Sequence, residues 1–549
     1  MGRYGLPYMA PGQPTSIDWD FVELTPDANS QLVVLPPSVD NSQKTWFPYI
    51  YNQGSSGSCV HVSEVFYMFT YELNRKFNRE AGTDLTKTNL FHPLYSYNYL
   101  NNGDGSSFTG RRDGFKIVRD CGVPEWIIYD DSALLTNSTK YKYWMTGYDK
   151  YNAGMCNTIS NTMFQFPFTY DNTFLNNIKH WLNDHCNASA SGGLASIGVF
   201  TIPWVISQVQ SGTYATQNYI KQLGVNGIGS GHQMTICGYD EDVTLDWGGG
   251  GTAGNPQPDG QFRNDIDNNH DGVIDIRDYE IGAFKVANSW GENWDNGNQG
   301  FIWMPYCLFY PGNIGFNGWE AESCDVFGET GEIPQPAINL KVNMEHDHRD
   351  HIKCSAGYAP AANNNNPLAW DDLFHLTYRG GFNPMRGCYT GPIDFGINVS
   401  QFYDPDSIGK LFFQVKENNN SGESFHGKIN SLSLLDSRWG EEFELPCKHS
   451  NFTIPNNSTT TLSIEYHLLP HESPLSTDLT LNSNRVSRFT TTVPNGKTLS
   501  VGTNANIDMY NSEIHIEEGG NLVLSNYDTI IAKRGTCKLV IDGNISVGG

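Results

Sequence analysis

The residues NQGSSGSCVHVS, 52–63, close a run of small side chains on a thiol, Cys59, and lead directly into apolar sequence of helical period. Cys59, Val62, Phe66, Phe69 and Leu73 share one stripe of a helix expected over about 59–76. Ser58 stands at its N-cap position. A thiol in the first turn feels the positive end of the helix dipole, which favours the nucleophilic thiolate. Small residues at 54–58, Gly57 among them, let another backbone approach closely. Taken alone, the stretch also fits a buried structural cysteine.

Two further stretches bear on that choice. GSGHQMTICGYDED places Gly231 and His232 at the head of an alternating strand, and FKVANSWGENWDNGNQGFIWM places Asn288 at the end of another, followed by Trp290 and Trp294. If these strands are antiparallel neighbours, the imidazole and the carboxamide lie side by side under an indole cover. A carboxamide oxygen orients an imidazole, and the imidazole exchanges a proton with a thiol.

NQGSSGSCV, GHQMTICGYD and NSWGENW…GF together resemble the three signature blocks of papain-like (C1-type) cysteine peptidases, in the family's order of Gln, Cys, His and Asn, over about residues 35–326. The resemblance implies that Cys59 is the nucleophile, His232 the general base and acid, and Asn288 the residue that holds the imidazole. It implies that the Gln53 side chain donates to the oxyanion together with the backbone N–H of Cys59. It also implies that Trp290 shields Asn288, and that Gly57, Ser58 and Gly231 border the substrate cleft. The chain departs from the family pattern at Ser56 and Val60, where C-G-[SA]-C-[WY] has a cysteine and an aromatic. The bridge from the active-site turn therefore cannot form at Ser56. His61 points to another side of the helix and reads as packing. The intervals from Cys59 to His232 and Asn288 exceed the family's roughly 130–150 residues. Insertions are thus expected within 130–190 and between His232 and Asn288.

The second insertion carries DIDNNHDGVIDIRDYE. In a calcium loop, oxygen ligands fall at positions 1, 3, 5, 7, 9 and 12 with Gly at 6. These positions map onto Asp267, Asn269, Asp271, the Val273 carbonyl, Asp275 and Asp278, with Gly272 at the turn. The expected cofactor is one structural calcium in a single loop, because strand sequence follows too soon for a full helix–loop–helix unit.

The rest of the chain must position and accompany this site. The fold class expected is multidomain: an α+β papain-like peptidase domain, then an all-β sandwich of jelly-roll or P-domain type, then a short β-solenoid or β-meander. Residues 1–34 read as an N-terminal arm or propeptide remnant, 35–326 as the peptidase, 327–336 (GETGEIPQP) as a linker, 337–470 as the sandwich and 471–549 as the solenoid-like segment. In that last segment apolar pairs recur at Leu499/Val501, Ile507/Met509, Ile514/Ile516, Leu522/Leu524 and Leu539/Ile541. The final NISVGG lacks a capping element, so the natural chain is expected either to continue or to be cut here. His346, His348 and His351 in EHDHRDH read as a solvated polar strand.

A net charge of −25 argues against nucleic acid and against an anionic membrane as partners. No apolar window reaches a membrane span. The balance of Asn, Gly, Ser, Thr and Tyr over charged residues, 17% of the chain, suits a secreted or cell-surface protein whose signal segment has been removed. The expected partner is a protein or peptide substrate, with surface or envelope attachment through the C-terminal β-domains. Eleven cysteines leave five disulfides beside a reactive Cys59, or a set of buried thiols, as open alternatives.

Overall fold

A computed structural model describes residues 20–130, 136, 139–210, 212–225, 230–294, 298–326, 336–359, 366–400, 409–418, 425–438, 440, 442–469, 473–503 and 505–547. The linker expected at 327–336 lies outside them except for Pro336, as do residues 1–19 of the arm.

Up to Val326 the chain is α+β. A mixed sheet runs in the order Asp20–Glu23, Ile159–Pro167, Glu320–Val326, Ala195–Phe200, Gly231–Thr244, Ile281–Ala287, Phe301–Pro305, Asn218–Gln222 and Val205–Gln208, with Ser38–Asp40 added beside Gly231–Thr244. The long strand Gly231–Thr244 is antiparallel to both neighbours, with Val199 opposite His232 and Ala287 opposite Thr235. Its residues from His232 to Asp240 are all buried. Against this sheet packs one continuous helix, α-helical at Cys59–His61, wound as wider π turns at Val62–Phe69 and α-helical again at Thr70–Phe77. It is buried on every side from Cys59 to Asn74 rather than along one apolar stripe, and Ser63 ties it to the sheet through the Met234 carbonyl (3.1 Å) and the Thr235 hydroxyl (2.7 Å). The arm is docked as well: Asp20–Glu23 pairs in parallel with Ile159–Pro167, and the buried Ser30 hydroxyl donates to Asp184 Oδ1 at 2.9 Å.

Beyond Pro336 the described residues form strands joined by turns, bends and short 3-10 turns, with no α-helix. A five-stranded sheet holds Ile393–Asn398, Ile338–His346, Gly427–Asp436, Phe443–Pro446 and Phe452–Thr453, and a four-stranded sheet holds Ala369–Thr377, Ile352–Ala359, Lys410–Glu417 and Thr459–Glu465. From Leu479 onward, three parallel sheets are built from short strands stacked in register: Leu479 lies on Leu499, Leu499 on Leu522, and Leu522 on Ile545. The apolar pairs read from the sequence fall on these strands, and those up to Leu522/Leu524 point into one core containing Leu499, Val501, Ile507, Ile514, Ile516 and Leu522, whereas Leu539 and Ile541 are exposed.

The core of the helical half does not stop at the expected domain boundary. One contiguous apolar cluster joins Val65, Phe66, Phe115 and Val118 to Leu340, Val342, Phe395, Phe413 and Leu434. Helix Asp113–Cys121 packs on the strand Ala369–Thr377, and the first insertion adds to the join. Its helix Tyr148–Met155 lies against Ile393–Asn398, and Trp144, 1% exposed, stacks on the buried guanidinium of Arg349 at 4.1 Å. Arg349 donates to the carbonyls of Lys142 and Gly380, both at 2.8 Å, and burial pulls its pKa down to about 9. The strand half carrying His232 has a separate cluster around Ile197, Ile236, Phe284 and Val286.

The histidines expected on a solvated strand are packed instead. His346 is 3% exposed, and the ring of His348 stacks on Phe382 at 3.4 Å. Among the described residues the cysteines form no disulfide. No helix among the described residues is long and apolar enough to cross a membrane.

Candidate active site

The Gln, Cys and Asn blocks meet through a short backbone ladder. Gln53 N–H donates to the Ser289 carbonyl (2.9 Å), Gly291 N–H donates to the Tyr51 carbonyl (3.1 Å), and Asn52 bridges Trp290. Gly291 adopts φ +84° with Asn52 side-chain atoms 3.1 Å from where a Cβ would stand, so a larger residue there would push the two segments apart. From the helix, the Tyr67 hydroxyl donates to the Asn288 carbonyl at 2.7 Å and accepts from Tyr51 N–H at 2.9 Å. Tyr67 thus fixes the asparagine to the helix that carries the thiol.

Cys59 opens that helix and is 3% exposed. The thiol receives N–H groups from Gln233, Val60 and its own backbone, and the Gln233 contact sets the sulfur beside the strand that carries His232. His232 Nε2–H donates to Asn288 Oδ1 at 2.8 Å, which leaves Nδ1 as the nitrogen that can exchange a proton with sulfur. Asn288 Oδ1 also accepts from Ser289 N–H at 2.7 Å, so its oxygen is fixed from two sides. Its Nδ2 is buried without a hydrogen-bond partner among the described residues.

The electrostatics differ from the thiolate expectation. Burial pushes the Cys59 thiol up to about 11, outweighing the N–H groups that lower it, and burial pulls His232 down to about 4 against the raising effect of Asn288. The dipole of the first helical turn is therefore the smaller influence, and both groups rest uncharged at neutral pH. His61 makes no contact in this site. It is fully buried, bonds Ser96 Oγ through Nδ1 at 2.8 Å and packs edge-on to Tyr97.

The indole of Trp290 stacks on His232, with ring centroids 4.7 Å apart and planes 26° apart. Trp294 meets Trp290 edge-on at 5.2 Å. A third indole, Trp204, lies 5.4 Å from Trp290 and 6.3 Å from His232. Sequence reasoning passed over Trp204. It follows the strand Ala195–Phe200, which pairs with the histidine strand, and a tryptophan just past the end of such a neighbour was the available signal.

The turn before the thiol is held without a disulfide. Ser56 Oγ donates to the Gln53 carbonyl and bonds Ser58 Oγ, both at 2.8 Å. Ser58 occupies the N-cap position, yet its hydroxyl is engaged with Ser56 and caps nothing. Gly57 N–H donates to the Gly105 carbonyl at 2.8 Å, and a Cβ at Gly57 would stand 2.4 Å from the Ser107 carbonyl oxygen. Tyr97 OH holds that same loop through the carbonyls of Gly105 and Ser107. Gly231 lies next to Asn317, whose Nδ2 stands 3.6 Å from where a Cβ would be.

Gln53 is 8% exposed. Its Oε1 accepts from the Ser289 hydroxyl, and its Nε2 donates one hydrogen to the Ser56 carbonyl at 2.5 Å, leaving the second hydrogen of the amide for another acceptor. Gln53→Ala is expected to lower kcat by about 10²–10³ with little change in KM, the signature of a lost transition-state donor. Steady-state kinetics on a peptide substrate checks this. Ser289→Ala should reproduce a milder version, because it frees the amide to rotate.

The acidic insertion is folded on itself. Asp267 accepts N–H groups from Asp271 (3.0 Å) and Gly272 (2.8 Å), Asn269 Oδ1 accepts from Asp271 N–H (2.9 Å), and Asp271 accepts from Val273 N–H (3.0 Å). The buried Asp278 accepts from Asn269 and Asp275 N–H, and Gly272 turns the chain at φ +91°. The Arg277 guanidinium spans Asp271 (2.7 Å) and Asp275 (2.6 Å). Among the described residues no three His, Cys, Asp or Glu side chains converge as a metal site. The loop keeps the turn at Gly272 and a surplus of carboxylates over one guanidinium.

No protein-family model and no curated protein matches the chain. Among solved structures it is similar to a recombinant stem bromelain precursor, at 14% identity over 56% of this chain and 76% of that one with a TM-score of 0.32. It is also similar to digestive procathepsin L 3 of Tenebrio molitor larval midgut (14%, 58% and 76%, TM-score 0.33) and to a cysteine protease of Carica candamarcensis (12%, 54% and 100%, TM-score 0.28). Likenesses this low carry no weight of their own, and the functional reading rests on the site.

Proposed function

We propose that the chain is a papain-like cysteine endopeptidase acting on protein or peptide substrates. The observation that carries this is the buried imidazole held by Asn288 Oδ1 through Nε2, which leaves Nδ1 for proton exchange, on a strand against which the helix opening at Cys59 packs. In this reading Cys59 Sγ attacks the peptide carbonyl carbon while its proton passes to His232. His232 then protonates the departing amine, leaving a thioester on Cys59. A water deprotonated by His232 attacks the thioester, and the acid leaves with the thiol restored. Gln53 and the Cys59 N–H stabilise the oxyanion in both halves. A neutral resting pair means that proton transfer accompanies attack rather than precedes it.

A thiol-directed epoxide tests the assignment. Labelling is expected at Cys59 alone of the eleven cysteines and is expected to vanish in His232→Ala. A silent Cys59 in folded protein would instead make this an inactive peptidase-like binding protein.

Around that site we assign residues 35–326 to the peptidase, 337–470 to a β-sandwich and 471–549 to a short β-solenoid. The paired sheets and the in-register parallel stacking support the last two. Secretion, with surface attachment through the C-terminal sheets, is part of the same reading. We assign one structural calcium to Asp267, Asn269, Asp271, the Val273 carbonyl, Asp275 and Asp278, with the ion taking over the carboxylates that Arg277 now spans. Excess chelator is expected to lower the melting temperature, and Asp267→Ala to remove that response. An unchanged melting curve in chelator would overturn the calcium assignment.

A further inference from the structure

A cavity of about 450 Å3 opens between the strand Asn218–Gln222, the acidic insertion and the segment after Phe301–Pro305. Leu223, Val225, Leu245, Trp247, Leu308 and Ile314 give it apolar walls, and none of Cys59, His232, Asn288 or Trp290 lines it. The size falls within the range of small-ligand sites, which are mostly apolar with a few placed polar groups. It reaches solvent: Ile314 is 64% exposed, and Lys221 is exposed at its edge.

Two cations line this cavity, and they differ. Arg277 is neutralised by Asp271 and Asp275 and lies over the Tyr170 ring at 5.2 Å. Lys221 has no ion pair among the described residues, in a chain of net charge −25. An apolar cavity rimmed by an uncompensated cation suits a ligand with an apolar body and a single negative charge. The body would leave water for the walls while the charge stays at the wet rim beside the ammonium.

We propose that this cavity is a binding site for a small amphiphilic anion, an aromatic or medium-chain alkyl carboxylate, independent of the peptidase site. The test uses the full chain carrying Cys59→Ala, in chelator, titrated with 8-anilinonaphthalene-1-sulfonate and followed by fluorescence. One saturating site is expected, displaced by decanoate and by 3-phenylpropionate, with decanol weaker by about tenfold or more, the worth of one charge-assisted contact. Lys221→Glu, at an exposed position, should weaken the sulfonate and decanoate by about tenfold while leaving decanol little changed. Val225→Trp should fill the cavity and remove binding. Absence of saturable binding in the folded chain, or an affinity unchanged in both variants, would overturn the proposal.

Discussion

Cys59→Ala is expected to lower kcat for peptide hydrolysis by the order of 10⁶, the scale seen when one member of a linked nucleophile–base unit is removed. His232→Ala should cost at least the roughly 10²–10⁴ of proton transfer, and the double variant little more than Cys59→Ala alone, because the two groups act as one. The pH profile supplies a second readout. His232 accepts a proton only when neutral, so kcat/KM should fall as the pH drops through about 4, where burial has placed the imidazole. On the alkaline side the pair must keep the proton that His232 later gives to the leaving amine. Activity should therefore hold across neutral pH and fall only toward about 11, where the thiol ionises. Both limbs belong to the coupled pair rather than to either residue. A profile with its acid limb near 6.5 would mean an imidazole open to water, contrary to the stacked indole seen here.

Trp144→Ala should have the largest effect on stability, about 3–5 kcal/mol, read as a lowered urea midpoint. The indole is 1% exposed, donates to the Asn98 carbonyl at 2.7 Å, touches Tyr99 and supports the buried Arg349 guanidinium. Its loss leaves a cavity and removes one face of a desolvated charge. Trp144→Phe keeps most of the packing and loses mainly the hydrogen bond, so about 1–2 kcal/mol is expected. Activity per folded molecule should be unchanged in both, since Trp144 touches none of Gln53, Cys59, His232 or Asn288.

The residues of the site were legible because each sits in a short consecutive block whose side chains do not depend on distant packing for their identity. The strands bearing His232 and Asn288 were legible for the same reason: alternation and apolar runs are local signals. Tyr67, Ser289 and Trp204 were not, because their roles exist only once the helix, the 51–53 segment and the Ala195–Phe200 strand converge. The helix Pro93–Leu100 was missed for a different reason. PLYSYNYL is buried on every side, so it has no polar face to mark a period of 3.6. The charge state of Cys59 was misjudged from the sequence because the dipole of the first turn is visible there, whereas the burial that outweighs it is not. The histidines of EHDHRDH were misread as solvated because their aromatic partners, Phe382 and Phe425, come from remote segments.

The division of the apolar interior into two clusters has a mechanical consequence. The helix bearing the thiol shares its interior with the C-terminal sheets and with one face of the mixed sheet, including Cys237 and Ala287, while alternate residues of the same strands, such as Ile236 and Val286, line the second interior. Polar ties such as Ser63 to Met234 and Tyr67 to Asn288 cross the seam between helix and sheet. A small slip of the helix along the sheet would therefore part the thiol from the imidazole while the second interior stays intact. Heat or denaturant that loosens this seam is therefore expected to silence the proposed chemistry before secondary structure is lost, which activity and far-ultraviolet circular dichroism followed together would check.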